Sequence, residues 1–262
     1  MQVLISTYGR DGIGRVVDAA HPRVDGVEWL VSWQNPEGIE VPRELVRPDM
    51  VVISHDSRGL SHNRNVSLRH ATHAEVVISD DDVSYSPEQL RTLIAIFKEH
   101  PELDIFTFRY STPDGGHGRV YPAGDFDLAH PKCGYYVSSI EMALRREPVL
   151  GSGVWFDERF GIGGRLFVAG EESVFLYQLL QKGLKGRFFD RILCIHHGGA
   201  TTGERDDIAE QLAEASAAYH YIANRHTWRL RMLLYSMRQH RLSKQAFIQA
   251  WCRGVRKVRS GR

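Results

Sequence analysis

The 262 residues contain only three cysteines, Cys133, Cys194 and Cys252, and no two are close enough in sequence to form a CxxC motif. This argues against both a disulfide framework and a cysteine zinc site. No apolar run approaches the roughly 18 residues of a membrane-spanning helix. The opening MQVLIST reads as a strand, without the charged n-region and apolar h-region of a signal peptide, so the expected location is cytoplasmic. The glycine-rich GIGGRLFVAG lacks both Walker spacing and a GxGxxG fingerprint, and it reads as a mobile loop rather than a phosphate loop. Acidic residues are absent after Glu214, whereas residues 215 to 262 hold nine Arg and two Lys, a charge of +11. That leaves 22 basic against 32 acidic residues in positions 1 to 214, a balance of −10. The overall charge of +1 therefore conceals two oppositely charged parts.

What is present is an ordinary globular composition, 42% apolar and 25% charged, at a length that suits one α/β unit with a tail. VLISTYGR, VEWLVSWQN, MVVISH and the β-branched run at Val76 to Ile78 read as strands, with helices over 13 to 20 and 60 to 72 between them. Such alternation predicts a mostly parallel sheet covered by helices on both faces. Ligands of these sheets bind outside the carboxyl ends of the strands. Thr7, Tyr8, Gln34, Asn35 and the triplet Asp80, Asp81 and Asp82 gather at that edge.

The triplet poses an electrostatic problem. Two carboxylates about 4 Å apart repel by roughly 4 kcal/mol at an effective dielectric near 20, so the group must splay into water or hold a cation. Strand alternation puts Asp80 and Asp82 on one side and Asp81 on the other. Oxygen ligands of this kind suit Mg2+ or Mn2+. A solvated acidic loop, or carboxylates favouring the positive end of the next helix, is an equal reading of this stretch alone. That helix is well marked: Ser86 as cap, Pro87 in the first turn and Gln89 positioned for a capping box. A later helix begins at Glu171 and Glu172 and ends near Gly183. Its two glutamates either complement the macrodipole or include a general base.

Several fragments, in order, resemble the inverting nucleotide-sugar glycosyltransferases of family 2, which have the GT-A fold. They are ISTYGR, GLSHNRNVSLRHATHAEVVISDDD, then EMALRRE, GVWFDERFG, AGEESVFLYQLLQKG and LCIHHGG. The resemblance covers about residues 1 to 202. It implies an α/β GT-A domain over 1–206, with a nucleotide-sugar half at 1–100 and an acceptor half at 101–206. Asp80 and Asp82 stand as the Asp-x-Asp carboxylates on a divalent ion, with Asp81 beside them at the donor. Thr7, Tyr8, Arg10, Gln34 and Asn35 stand as nucleotide contacts, and Arg64 as a diphosphate contact or a salt-bridged helix arginine. Glu172 takes the place of the catalytic base, where Asp is commoner, and Glu171 that of an acceptor-orienting group. Of His196 and His197, which face opposite ways on a strand, His197 is favoured as the metal ligand. UDP is the expected nucleotide and Mn2+ or Mg2+ the expected ion.

Residues 207–262 are expected to form a basic, mainly helical extension with Trp228, Leu230, Leu233, Leu234, Phe247, Ile248 and Trp251 among its arginines. Packing on the rest of the chain and contact with an anionic membrane surface are both consistent with this pattern. No nucleic-acid motif is present. The expected reaction is inverting transfer from a UDP-sugar to a saccharide or lipid-linked saccharide, as in bacterial surface polysaccharide assembly. A sugar nucleotidyltransferase, or an inactive saccharide-binding protein of the same fold, would share the sheet and the aspartates.

Overall fold

The computed structural model describes residues 1–19, 21–116, 118–198, 208–223 and 242–261. The first strand, β1 (Gln2–Tyr8), is buried at every position but the last, as a β-branched run covered on both faces should be. Gly9 then turns the chain into α1 (Gly9–Asp18) with a φ of +64°, a left-handed value that favours glycine. β2 (Glu28–Gln34) and β3 (Met50–His55) follow, then α2 (Leu60–His70), β4 (Glu75–Asp80) and the short β5 (Val83–Ser84). α3 (Pro87–Glu99) opens with the expected capping box, in which Ser86 Oγ accepts from Gln89 N at 3.1 Å and Gln89 Oε1 accepts from Ser86 N at 2.8 Å. β6 (Ile105–Ser111), β7 (Phe126–Asp127), β8 (Met142–Arg145) and α4 (Arg146–Gly151) come next. α5 (Glu171–Gln181), β9 (Gly186–His196), α6 (Ala209–Ile222) and α7 (Lys244–Ser260) complete the described elements.

The sheet has nine strands in the order β3-β2-β1-β4-β8-β6-β9-β5, with β7 also on β9. β1, β2, β3, β4, β6 and β9 run one way, and the short β5, β7 and β8 run against them. The sheet is thus mostly parallel, as the strand–helix alternation requires, with helices between the parallel strands. The register sets Ser6 opposite Asp80, Tyr8 opposite Gln34, and Gln34 opposite His55. The carboxyl ends of four strands therefore share one edge. Among the described residues no helix is long and apolar enough to cross a membrane.

Contacts group the chain into two units. One comprises 1–58, 62–155 and 178–198, and the other 59–61, 156–177 and 199–262. Residues 156–177, placed by sequence in an acceptor half, thus group with the C-terminal helices. The first unit has a core of Val3, Ile5, Trp29, Trp33, Phe97, Phe106 and their neighbours. In the second, Phe160, Phe167 and Val174 pack with Ala215, Ala218 and Val258. The expected helical extension is observed at α6 and α7; Trp228, Leu230, Leu233 and Leu234 lie outside the described residues.

Candidate active site

The three aspartates fan out to partners on four elements, α2, β1, α1 and β9. Asp80 ends β4 and accepts from a single nitrogen of Arg64 on α2, at 3.0 and 3.1 Å. That nitrogen also donates to Ser139 Oγ at 2.7 Å. Asp81 accepts from Thr7 Oγ1 at 2.6 Å and from Arg15 Nε at 2.9 Å. Asp82 meets His196 Nε2 at 3.1 Å, on the end of β9. Repulsion among the three is relieved by this separation, and each carboxylate has its own compensating partner.

The titration directions follow from that arrangement. Burial pushes Asp80 upward against the pull of Arg64, and the nearby Asp82 and Asp81 add to the rise. Asp81 is also raised by burial, against the opposing bonds from Arg15 and Thr7. Asp82 goes the other way: burial raises it, but the bond and charge of His196 outweigh burial and hold it low. His196 is raised in return, chiefly by its bond to Asp82.

Small residues shape the corner. A Cβ on Gly12 would overlap the Thr7 hydroxyl and come within 2.8 Å of Asp81 Oδ2. One on Gly198 would overlap Asp82.

Arg64 and the two histidines each have defined partners. Arg64, read as a diphosphate contact or a salt-bridged helix arginine, is only 1% exposed and pairs with Asp80. The reason is that α2 packs its side chain inward, where only an anion can balance it. Of the two histidines, His196 is the one whose ring meets a carboxylate of the triplet, Asp82. The His197 ring meets Ser84 Oγ at 2.7 Å, because strand alternation turns the neighbour away.

The nucleotide-side residues divide similarly. Gln34 is buried, and its amide donates to Ser57 Oγ at 2.8 Å. Ser57 in turn meets His55 Nδ1 at 2.8 Å, and the other nitrogen of His55 lies near Ser32 Oγ and Asn63 Oδ1. Asn63 ties this network to β1 by donating to the carbonyl of Thr7 at 3.0 Å. Tyr8 is 57% exposed, and its hydroxyl accepts from Asn35 Nδ2 at 3.2 Å. Asn35 has a φ of +54°, an uncommon left-handed value that asparagine tolerates better than most residues. Arg10 is exposed in the first turn of α1. His55, Asn63, Arg15 and Ser139 were not singled out by sequence, since none sits in a recognisable pattern with the residue it holds.

The glutamates belong to the second unit. Glu171 is buried, with its carboxyl against the backbone of Gly161 and near Ser61, where a Cβ on Gly161 would lie 3.1 Å from its Cδ. Glu172 is half-buried. Val174, Phe175 and Leu176 anchor the helix that carries both.

Among the described residues no three His, Cys, Asp or Glu side chains converge into a ready metal cage. The donor set still fits Mg2+ or Mn2+, since such ions are commonly held by one or two carboxylates with substrate phosphates completing the shell. Asp82 is 21% exposed and Asp80 27%, so both carboxylates are reachable by an ion.

The mostly parallel α/β sheet is of the GT-A-like class shared with its neighbours among solved structures. Residues 40–140 match the family described as Glycosyl transferase family 2. No curated protein matches the chain. Among solved structures, S. aureus TarS 1–349 shares the fold with a TM-score of 0.63 at 14% identity, over 100% of this chain and 91% of that one. TarS 1–349 in complex with UDP-GlcNAc gives 0.60 at 16% identity, covering 84% and 65%. The mannosyltransferase PcManGT from Pyrobaculum calidifontis, in complex with GDP-Man and Mn2+, gives 0.58 at 15% identity, covering 99% and 74%. The chain covers 39% of a longer TarS structure.

Proposed function

We propose that the chain is an inverting glycosyltransferase that moves a sugar from a UDP-sugar to a hydroxyl of a saccharide or lipid-linked saccharide, in the assembly of a bacterial surface polysaccharide. The observation that carries this reading is the aspartate corner at the carboxyl ends of β1 and β4, with Asp82 paired to His196 and Asp80 seated on Arg64. The solved TarS complex with UDP-GlcNAc supports the choice of donor class, because that protein shares this fold.

In this reaction the acceptor oxygen bonds to the anomeric carbon as the bond from that carbon to the diphosphate oxygen breaks. The nucleoside diphosphate leaves with the bonding electrons, and the acceptor proton passes to Glu172. Glu172 suits the role better than its neighbour, since it is half-buried whereas Glu171 is buried against Gly161. Glu171 orients the acceptor side. Tyr8 and Asn35 receive the nucleotide, with Thr7 fixing Asp81 beneath it. Asp82 and Asp80, with His196 paired to Asp82, would offer the carboxylates for Mg2+ or Mn2+, which when bound supplies Lewis-acid stabilisation of the departing diphosphate.

The test is Glu172→Gln. Sugar transfer should fall by roughly a hundredfold or more, the scale of a lost general base, while UDP binding by calorimetry stays within about twofold. Transfer that survives the substitution would remove Glu172 as the base.

A further inference from the structure

The last helix shows two separate faces. Phe247, Ala250, Gly254 and Val258 are buried, and Gly254 lies so close to the backbone of Glu214 on α6 that a Cβ there would overlap it. Glu210 and Glu214 on α6 take the charges of Arg253 and Lys257, so these cations are spent on holding the two helices together. What remains is a stripe at helical spacing: Ile248, Cys252, Val255, Arg256 and Arg259. Ile248 is 42% exposed, and Cys252, Arg256 and Arg259 are exposed. A surface depression is lined by Trp251, Cys252, Val255, Arg256, Arg259 and Ser260. No acidic residue occurs anywhere in 215–262 to offset this stripe.

We infer that this face of α7 is a docking surface for a bilayer containing anionic phospholipid. Guanidinium groups beside a shallow apolar recess match a layer whose headgroups carry phosphate and whose interior begins just below. Arg keeps its charge at the headgroup level while its stem covers apolar surface. Ile248, Val255 and the edge of Trp251 enter the interfacial zone, where apolar atoms leave water without having to cross the membrane. A nucleic acid would satisfy the guanidiniums but leave the apolar stripe in water, so charge and hydrophobicity together favour the lipid surface. This inference does not depend on the assignment of the catalytic groups.

The experiment uses the full chain and sedimentable vesicles of phosphatidylcholine, alone or with about one-third phosphatidylglycerol. The chain should bind the anionic vesicles and not the neutral ones, and binding should weaken as salt rises, because screening shortens the reach of the arginines. Arg256→Glu with Arg259→Glu should weaken the partition at least tenfold, roughly what two reversed surface charges remove. Ile248→Asp should weaken it several-fold at unchanged thermal stability. UDP binding should be unaffected in both variants. Equal binding to neutral vesicles, wild-type binding by the double variant, or preferential retention by duplex DNA at the same salt would each overturn the inference.

Discussion

Asp80 and Asp82 carry the same chemistry but different structural duties. Asp82 meets a histidine that can lose its charge, whereas Asp80 balances a guanidinium that cannot and that is almost wholly enclosed. Asp82→Asn should therefore abolish most transfer with a stability change below about 1 kcal/mol, while Asp80→Asn should also cost roughly 3 kcal/mol by stranding a buried charge. Urea denaturation beside a transfer assay separates the two. His21 offers a second residue-scale test. It lies against Trp29 with ring centroids 4.4 Å apart, and burial, helped by Arg47, holds its pKa down at about 4. A histidine that takes a proton more readily unfolded than folded lends full stability above its unfolded pKa near 6.5, and loses it as pH falls toward 4. Wild type should lose roughly 2–3 kcal/mol more than His21→Phe between pH 7 and 4.5, as read by denaturation at both pH values. Of these residues the sequence showed the aspartates, because three in a row after a buried strand are visible locally. It did not show Ser139 or Arg15, whose roles arise only when distant segments meet.

At the level of elements, caps and turn glycines matched the structure, whereas the first helix, expected over 13 to 20, runs from Gly9 to Asp18. The start of α3 was written in Ser86, Pro87 and Gln89, and the end of α5 in Gly183, whose φ is +86°. The two-residue strands β5 and β7 carried no periodic signal, since their pairing with β9 is set by residues far away in the chain. The antiparallel β8 between β4 and β6 was equally hidden, because strand direction depends on the connection and not on composition. The contact of α6 with α7 supplies a prediction at this scale. Gly254→Ala adds a methyl where α6 backbone already sits, and overpacking of this kind costs about 1–3 kcal/mol. The better helix propensity of alanine offsets up to about 1 kcal/mol, so a net loss should appear in thermal melts. An unchanged or raised midpoint would mean that the two helices separate without cost.

For the molecule as a whole, the charge imbalance is legible in the sequence, while the division into two units is not. Residues 156–177 join the C-terminal helices through Phe160, Phe167 and Val174, a grouping that no stretch of sequence announces. The run without carboxylates after Glu214 has an effect that net charge hides. At a pH near 7.8, where the sequence balances to zero, the chain still carries one strongly cationic part and one strongly anionic part. It should therefore be retained at low salt on both cation- and anion-exchange resins, and elution from the two should call for different salt concentrations. Acidification then acts on one side alone: protonating carboxylates silences the anionic part, and the arginines keep their charge, so the two-resin behaviour collapses to cation exchange only.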